Sequence, residues 1–306
     1  MLTYIMLAGG LLGLFLGGDW LVRGASQIAA RFNVPPLIIG LTIVGFGTST
    51  PELLVSLQAA FDGLPGISIG NVVGSNTANI LLILGLAGII APPIADFLNM
   101  RRDLFWMLGA ALVMPVIIAS GYVGRIEGAA LITGLIIYLG LSCRAMRNDP
   151  TEALPSDVNL LHAAGFTIAG LIAVMVGAKY LVESATIIAR HLGVSEAMIG
   201  LSIVAIGTSL PELATTVAAA IKGEREIALG NIIGSNIFNI LAILGLTGLI
   251  IPIPVDTRFM SFDVPVMIFA TLLILGLIYV RGEISRIAGG LMILAYIGYI
   301  AIGASL

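Results

Sequence analysis

Two glutamates occupy positions where a carboxylate is costly. Glu52 follows Pro51 in the stretch GTSTPELLVSL, which begins at Gly47, and Glu212 follows Pro211 in GTSLPELATTV, which begins at Gly207; both stretches lie inside long apolar runs. A carboxylate in hydrocarbon marks an ion or substrate path by default, because its charge has to be compensated. Pro51 and Pro211 have no N–H, so the carbonyls of Gly47 and Gly207 lose their helical partners, and each ring crowds the preceding turn. Broken backbone at membrane depth is tolerated where it lines a cavity or coordinates something. The following apolar runs add amides and hydroxyls. Asn71, Ser75 and Asn79 recur every four residues, as do Asn231, Ser235 and Asn239, so each set forms one polar stripe along a helix. Gly70, Gly74, Gly230 and Gly234 thin the same helices for close approach. Carboxylate, carbonyl, hydroxyl and amide oxygens, with no His or Cys among them, suit a hard cation rather than zinc or copper. Calcium takes about 6 to 8 such oxygens, and sodium, of similar radius, can use the same ligands. Two carboxylates are neutralised by one calcium ion, whereas three sodium ions would leave an excess of about one positive charge.

The elements that position these groups are membrane helices. The chain has 306 residues, 58% hydrophobic and 10% charged, with net charge -3 and mean hydropathy +1.10. This composition predicts an all-α integral membrane protein with the lipid bilayer as its surroundings. Basic residues are too scattered for nucleic acid to be a partner, and the sequence carries no signal for oligomeric state. A helix crosses a bilayer in about 20 residues. Ten apolar segments fit, near residues 3–22, 36–61, 67–90, 104–119, 123–142, 161–182, 197–221, 227–250, 263–279 and 284–303. No basic residue precedes the first run, which is therefore expected to remain as a helix rather than be cleaved. Cys143 is alone, and it, His162 and His191 lie near span ends, where no chemistry is expected of them.

A shift of 160 residues carries the first half onto the second. GLTIVGFGTSTPELL at Gly40 meets GLSIVAIGTSLPELA at Gly200, and about half of the positions from Gly40 to Ile90 are identical to their partners. Five spans per half invert the second copy, so the broken second and seventh spans face each other near the midplane, a plan common among secondary transporters. The halves are 1–142, with its repeat motif at 40–90, and 161–306, with its motif at 200–250; a polar linker joins them over 143–160. A proline kink beside small residues, or a serine bonded across helices, would explain one motif. Two such motifs, each with an intramembrane glutamate, favour an ion site.

At GTSTPELL with GNVVGSNTANI, and at GTSLPELA with GNIIGSNIFNI, the chain resembles the sodium/calcium exchanger family in a prokaryotic form, over nearly its whole length. The resemblance implies an antiporter and not an enzyme, with no cofactor. Calcium and sodium are its transported ions, in a three-to-one exchange of sodium for calcium. Helices 2, 3, 7 and 8 would surround the ions while helices 1 and 6 move across them. It implies Glu52 and Glu212 as shared ligands, backbone carbonyls from Thr48, Thr208, Gly45 and Ala205, and hydroxyls from Ser49, Ser75, Ser209 and Ser235. Asn79 and Asn239 would line the centre. Potassium-dependent relatives carry Asp where Asn239 stands, so potassium co-transport is not expected. Calcium/proton antiport is the alternative reading, followed by a cation channel. An intramembrane hydrolase lacks a His or Asp base beside the central serines. The stripe of Gly9, Gly13 and Gly17 reads as tight packing or, by the resemblance, as a sliding face. Asp19 and Lys179 correspond under the shift but are expected at opposite surfaces, unpaired and interfacial.

Counting basic residues by loop gives ten inside against four outside if both termini are outside an inner, plasma membrane. A cysteine at Asp157 should accordingly be labelled by an impermeant thiol reagent from the cytoplasmic side and one at Ser305 from the outer side. Labelling of both from one side would break the inverted arrangement.

Overall fold

Apolar runs uninterrupted by proline become long helices, and their ends fall where proline, glycine or a capping side chain stops them. The computed structural model describes residues 2–32, 34–148, 159–192 and 205–303. In chain order the helices are α1 (Leu2–Phe32), α2 (Pro36–Thr48), α3 (Thr50–Phe61), α4 (Pro65–Ile90), α5 (Phe97–Ile118) and α6 (Arg125–Asn148). They continue with α7 (Leu160–His191), α8 (Ala205–Gly207), α9 (Leu210–Lys222), α10 (Arg225–Ile250), α11 (Phe259–Arg281) and α12 (Arg286–Gly303). Among the described residues seven helices are long and apolar enough to cross a membrane, and eight are when the bent pair α2 and α3 counts as one span. Of the other expected spans, the fourth opens with Arg101, Arg102 and Asp103 in its first two turns, and the seventh begins in residues outside those described.

Several helices outrun their expected spans. α1 and α7, with 31 and 32 residues, are about 47 Å long against a hydrocarbon core of about 30 Å. Charge at Asp19, Arg23 and Glu183 marks the membrane surface, but nothing there stops a helix; α1 runs on to Phe32, just before Pro35 and Pro36. α6 likewise continues through Cys143 to Asn148, so the first residues of the expected linker are helical. Linker residues 149–158 and the labelling positions Asp157 and Ser305 lie outside those described. α5 begins at Phe97 because Asp96 caps it, accepting from the Leu98 N–H at 2.9 Å.

α10 is buried along its whole apolar window and α4 over 72% of its own, against 17–39% for α1, α6, α7, α11 and α12, so α4 and α10 form the centre. Large apolar side chains such as Phe15, Val116, Ile126 and Phe269 point outward, as a lipid-facing surface requires. α12 packs on the C-terminal half of α4 and α6 on that of α10, while α5 and α11 pack on each other. Two connections lie on related sites. β1 (Tyr122–Val123) pairs antiparallel with β2 (Ile253–Pro254), and Ile94 bridges Glu283; a shift of 160 carries Ile94 onto Pro254 and Val123 onto Glu283.

The glycine face of α1 is a packing face, with a changed register. A Cβ at Gly17 would lie 2.7 Å from the Val174 nitrogen and 2.9 Å from the Gly170 carbonyl oxygen, and one at Gly10 would lie 2.8 Å from the Gly177 oxygen, whereas Gly9 faces open space. The stripe is thus Gly10, Gly13 and Gly17, and it presses α1 onto α7. Asp19 does not meet Lys179. Its carboxylate pairs with Lys222 at the end of α9, 2.6 Å away, and with Arg23 at 3.0 Å, while Lys179 lies 3.9 Å from Glu183. Gly17→Leu should therefore destabilise the purified protein by about 1–3 kcal/mol through overpacking. The same change at Gly9 should leave it within about 0.5 kcal/mol. Thermal unfolding in detergent checks both, and equal losses would refute this register.

Candidate functional site

The site begins at two helix breaks. Ser49, with φ -83° and ψ 5°, interrupts the chain between α2 and α3, whose axes differ by 41°. Ser209, with φ -89° and ψ 9°, does the same between α8 and α9. Pro51 and Pro211 stand in the first turn of the new helix, where a missing N–H costs nothing. Glu52 and Glu212 share that first turn, so each carboxylate sits at the electropositive end of a helix dipole. Both are buried, at 1% and 0% exposure, and among the described residues no basic side chain pairs with either.

Each carboxylate is held by the opposite half. The Ser49 hydroxyl donates to Glu212 Oε1 at 2.9 Å, and the Ser209 hydroxyl donates to Glu52 Oε1 at 3.2 Å. Ser49 and Ser209, two of the four serines from which the resemblance implied hydroxyl ligands, thus bond to the central carboxylates. Behind each break an asparagine braces the helix. Asn71 donates to the Glu52 carbonyl at 2.9 Å and to Ser56 Oγ at 2.8 Å; Asn231 donates to the Glu212 carbonyl at 3.4 Å and to Thr216 Oγ1 at 2.9 Å. The Thr48 hydroxyl lies within reach of the Val44 and Gly45 carbonyls and of Asn231 Oδ1 at 3.1 Å, and Thr208 reaches Asn71 Oδ1 at 3.5 Å. The Gly45 carbonyl accepts from Ser235 Oγ at 3.3 Å, and a Cβ at Gly45 would lie 3.1 Å from the Ser235 nitrogen, a tight contact between α2 and α10. Ser75 is buried on α4. Ala205 opens α8, but its side chain lies outside those described.

α4 and α10 meet through four amides. Asn76 Nδ2 donates to the Asn236 carbonyl and Asn236 Nδ2 to the Asn76 carbonyl, both at 3.3 Å; Asn79 Nδ2 donates to Asn236 Oδ1 and Asn239 Nδ2 to Asn76 Oδ1, both at 3.0 Å. Both helices pass into π-helical turns at this point, Asn79–Leu84 and Asn239–Leu244, a rare geometry that recurs at functional sites. A third π segment, Gly40–Val44, precedes Gly45. Asn76 and Asn236 were not among the expected site residues. The signal was their identity across the repeat within GSN, three residues before Asn79 and Asn239 and hence one helical turn away.

Among the described residues nine buried side-chain oxygens have no hydrogen-bond partner, and four of them lie together in this site: Glu52 Oε2, Glu212 Oε2, Asn79 Oδ1 and Asn239 Oδ1. They belong to two residue types at two pairs of repeat-related positions, and in each the other polar atom is bonded across to the opposite half. Buried polar atoms are normally satisfied, so four related exceptions ask for a ligand that accepts lone pairs, as a cation does.

The family described as sodium/calcium exchanger protein matches residues 2–144 and 162–303. The chain is 39% identical to the putative antiporter CaxA of Alkalimonas amylolytica over 95% of each chain. It is 35% identical to the sodium/calcium exchanger MaX1 of Methanosarcina acetivorans over 98% of each. Its fold superposes on the sodium-calcium exchanger NCX_Mj, in a structure soaked with Na+ and Ca2+, with TM-score 0.86 and 37% identity over 98% of both chains.

Proposed function

The chain belongs to the sodium/calcium exchanger protein family, and we propose that it is a secondary antiporter that exchanges sodium for calcium by alternating access. It is an integral, multi-pass membrane protein of ten spans in two inverted repeats of five, seated in the plasma membrane with both termini outside. The observation that carries this reading is the set of four partnerless oxygens, two carboxylate and two amide, supplied equally by the two halves. Glu52 and Glu212 bind calcium and sodium in turn with the carbonyls of Thr48 and Thr208, Asn79 and Asn239 line the centre, and the carbonyls of Gly45 and Ala205 with the hydroxyls of Ser49, Ser75, Ser209 and Ser235 serve flanking sodium ions. The inverted plan is supported by hydrogen bonds that recur under the 160-residue shift, and by the loop pairs Val123 with Ile253 and Ile94 with Glu283.

Alternation is supported by a difference between the halves. Under the shift, Asp19 corresponds to Lys179 and Lys222 to Asp62, so the same two places carry exchanged signs. The first pair is closed at 2.6 Å, while Lys179 lies near Glu183 and Asp62 accepts from Gln58 at 2.9 Å. α1 also rests on α9, where a Cβ at Gly18 would lie 2.9 Å from the Ala214 oxygen. The tight α1–α7 pair is the unit that slides, and the break sites are exposed to one side at a time.

With Asn at 239 the centre carries two carboxylates, so the calcium-loaded carrier is neutral and the sodium-loaded one is cationic. Exchange is therefore electrogenic and potassium-independent, and the potential acts on the excess charge at about 2.3 kcal/mol per 100 mV. Labelled calcium flux in proteoliposomes tests this. A sodium gradient should drive saturable calcium counterflow, with or without potassium, and inside-negative potential should favour sodium entry. Glu52→Gln and Glu212→Gln should each reduce flux at least 100-fold in a folded protein, since a buried charge that pairs with the ion is lost. Flux driven by protons and not by sodium would make the protein a calcium/proton antiporter, and non-saturating flux would make it a channel.

A further inference from the structure

Asn79 and Asn239 each offer one free oxygen, but an asparagine side chain is nearly symmetric in shape, and rotation by half a turn would present its NH2 instead. An NH2 pointed at a cation repels it. Something must therefore decide which end faces inward, and the hydrogen bonds supply a decision that begins at an atom with no ambiguity.

The Asn76 backbone carbonyl can only accept. Asn236 must turn its Nδ2 toward that carbonyl, 3.3 Å away, and this leaves its Oδ1 facing Asn79. Asn79 must then turn its Nδ2 toward that oxygen, at 3.0 Å, and its own Oδ1 is left free and buried. The reverse chain starts at the Asn236 carbonyl, passes through Asn76, and fixes Asn239 with the same distances. Flipping any one of the four amides would set two carbonyl oxygens, or two NH2 groups, against each other in a site where Asn76 and Asn236 are each 1% exposed. An unpaired polar group costs most in such a place. The second N–H of Asn76 is also engaged, at 3.7 Å from Met267 Sδ.

We propose that Asn76 and Asn236 are positioning residues for transport: they form a reciprocal amide clasp between α4 and α10 that keeps the Asn79 and Asn239 carbonyl oxygens, and not their NH2 groups, turned toward the ion. The proposal rests on the sodium/calcium reading of the site. Neither residue touches the ion, and each acts through the amide of the opposite half. The clasp also couples the halves, so both central amides are oriented from one interface.

The test uses equilibrium binding of labelled calcium to the purified protein, with thermal unfolding measured in parallel. Asn76→Ala removes the acceptor that orients Asn239 and should weaken calcium binding by about tenfold, as loss of one well-placed oxygen ligand would. A carboxylate needs no orientation, because both its ends are oxygen. Asn239→Asp should therefore restore binding when added to Asn76→Ala. In the wild-type background the same change sets a carboxylate against Asn76 Oδ1 and should bring no such gain. Asn236→Ala with Asn79→Asp should behave in the same way. If Asn76→Ala fails to fold, Asn76→Ser keeps a small polar residue too short to reach Asn239 and replaces it in the comparison. Losses that simply add, or that follow the unfolding temperature in every background, would assign Asn76 a structural role and overturn the clasp while leaving the exchanger reading intact. A wild-type protein that binds no calcium would overturn both.

Discussion

The rest of the structure follows from the burial in a membrane of two carboxylates that no basic side chain among the described residues pairs with. Leaving Glu52 and Glu212 charged in hydrocarbon would cost several kcal/mol each. The protein answers with neutral dipoles: a helix N-terminus behind each carboxylate and a serine hydroxyl from the opposite half on one of its oxygens. These measures reduce the cost but leave the charge itself, and a cation is the natural complement.

Because each tether crosses from one half to the other, the site exists only where the two repeats meet. This sets the packing. α4 and α10 must lie at the centre, and the glycines of α10 let α2 approach it: a Cβ at Gly230 would fall 2.6 Å from the Leu37 carbonyl oxygen, whereas Gly74 on α4 meets nothing within 4 Å and Gly70 only the Phe259 ring at 3.6 Å, so the close approach expected of them is not made. The loop from α9 to α10 turns in two residues, and Gly223 at its start holds φ 78°, a conformation that glycine adopts without strain. α1 and α7 carry no central ligand and pack chiefly on each other through small residues, so a motion of that pair relative to α4 and α10 leaves the tethers intact.

Much of this was legible in the sequence. Proline beside glutamate in an apolar run located both breaks, and the 160-residue shift relates residues, Asn76 and Asn236 among them, that bond to each other between α4 and α10. What stayed hidden has physical reasons. Asn76 and Asn236 act across 160 residues of chain, and the i, i+4 stripe of Asn71, Ser75 and Asn79 drew attention to a neighbouring face. The π turns at Asn79 and Asn239 leave no mark on composition, since their residues are ordinary apolar ones. The ends of α1 and α7 were misplaced because charge signals a membrane surface, whereas only proline, glycine or a cap ends a helix. The Asp19 to Lys222 pair depends on how α1 leans against α9, which no local pattern encodes.

Calcium binding to the purified protein at equilibrium tests most directly whether the two buried carboxylates hold one ion. Labelled calcium should bind at one ion per chain, be displaced by sodium with a slope above one, and disappear when Glu52→Gln and Glu212→Gln are combined. Stoichiometric calcium binding that survives in that double variant, or that sodium fails to displace, would contradict the assignment.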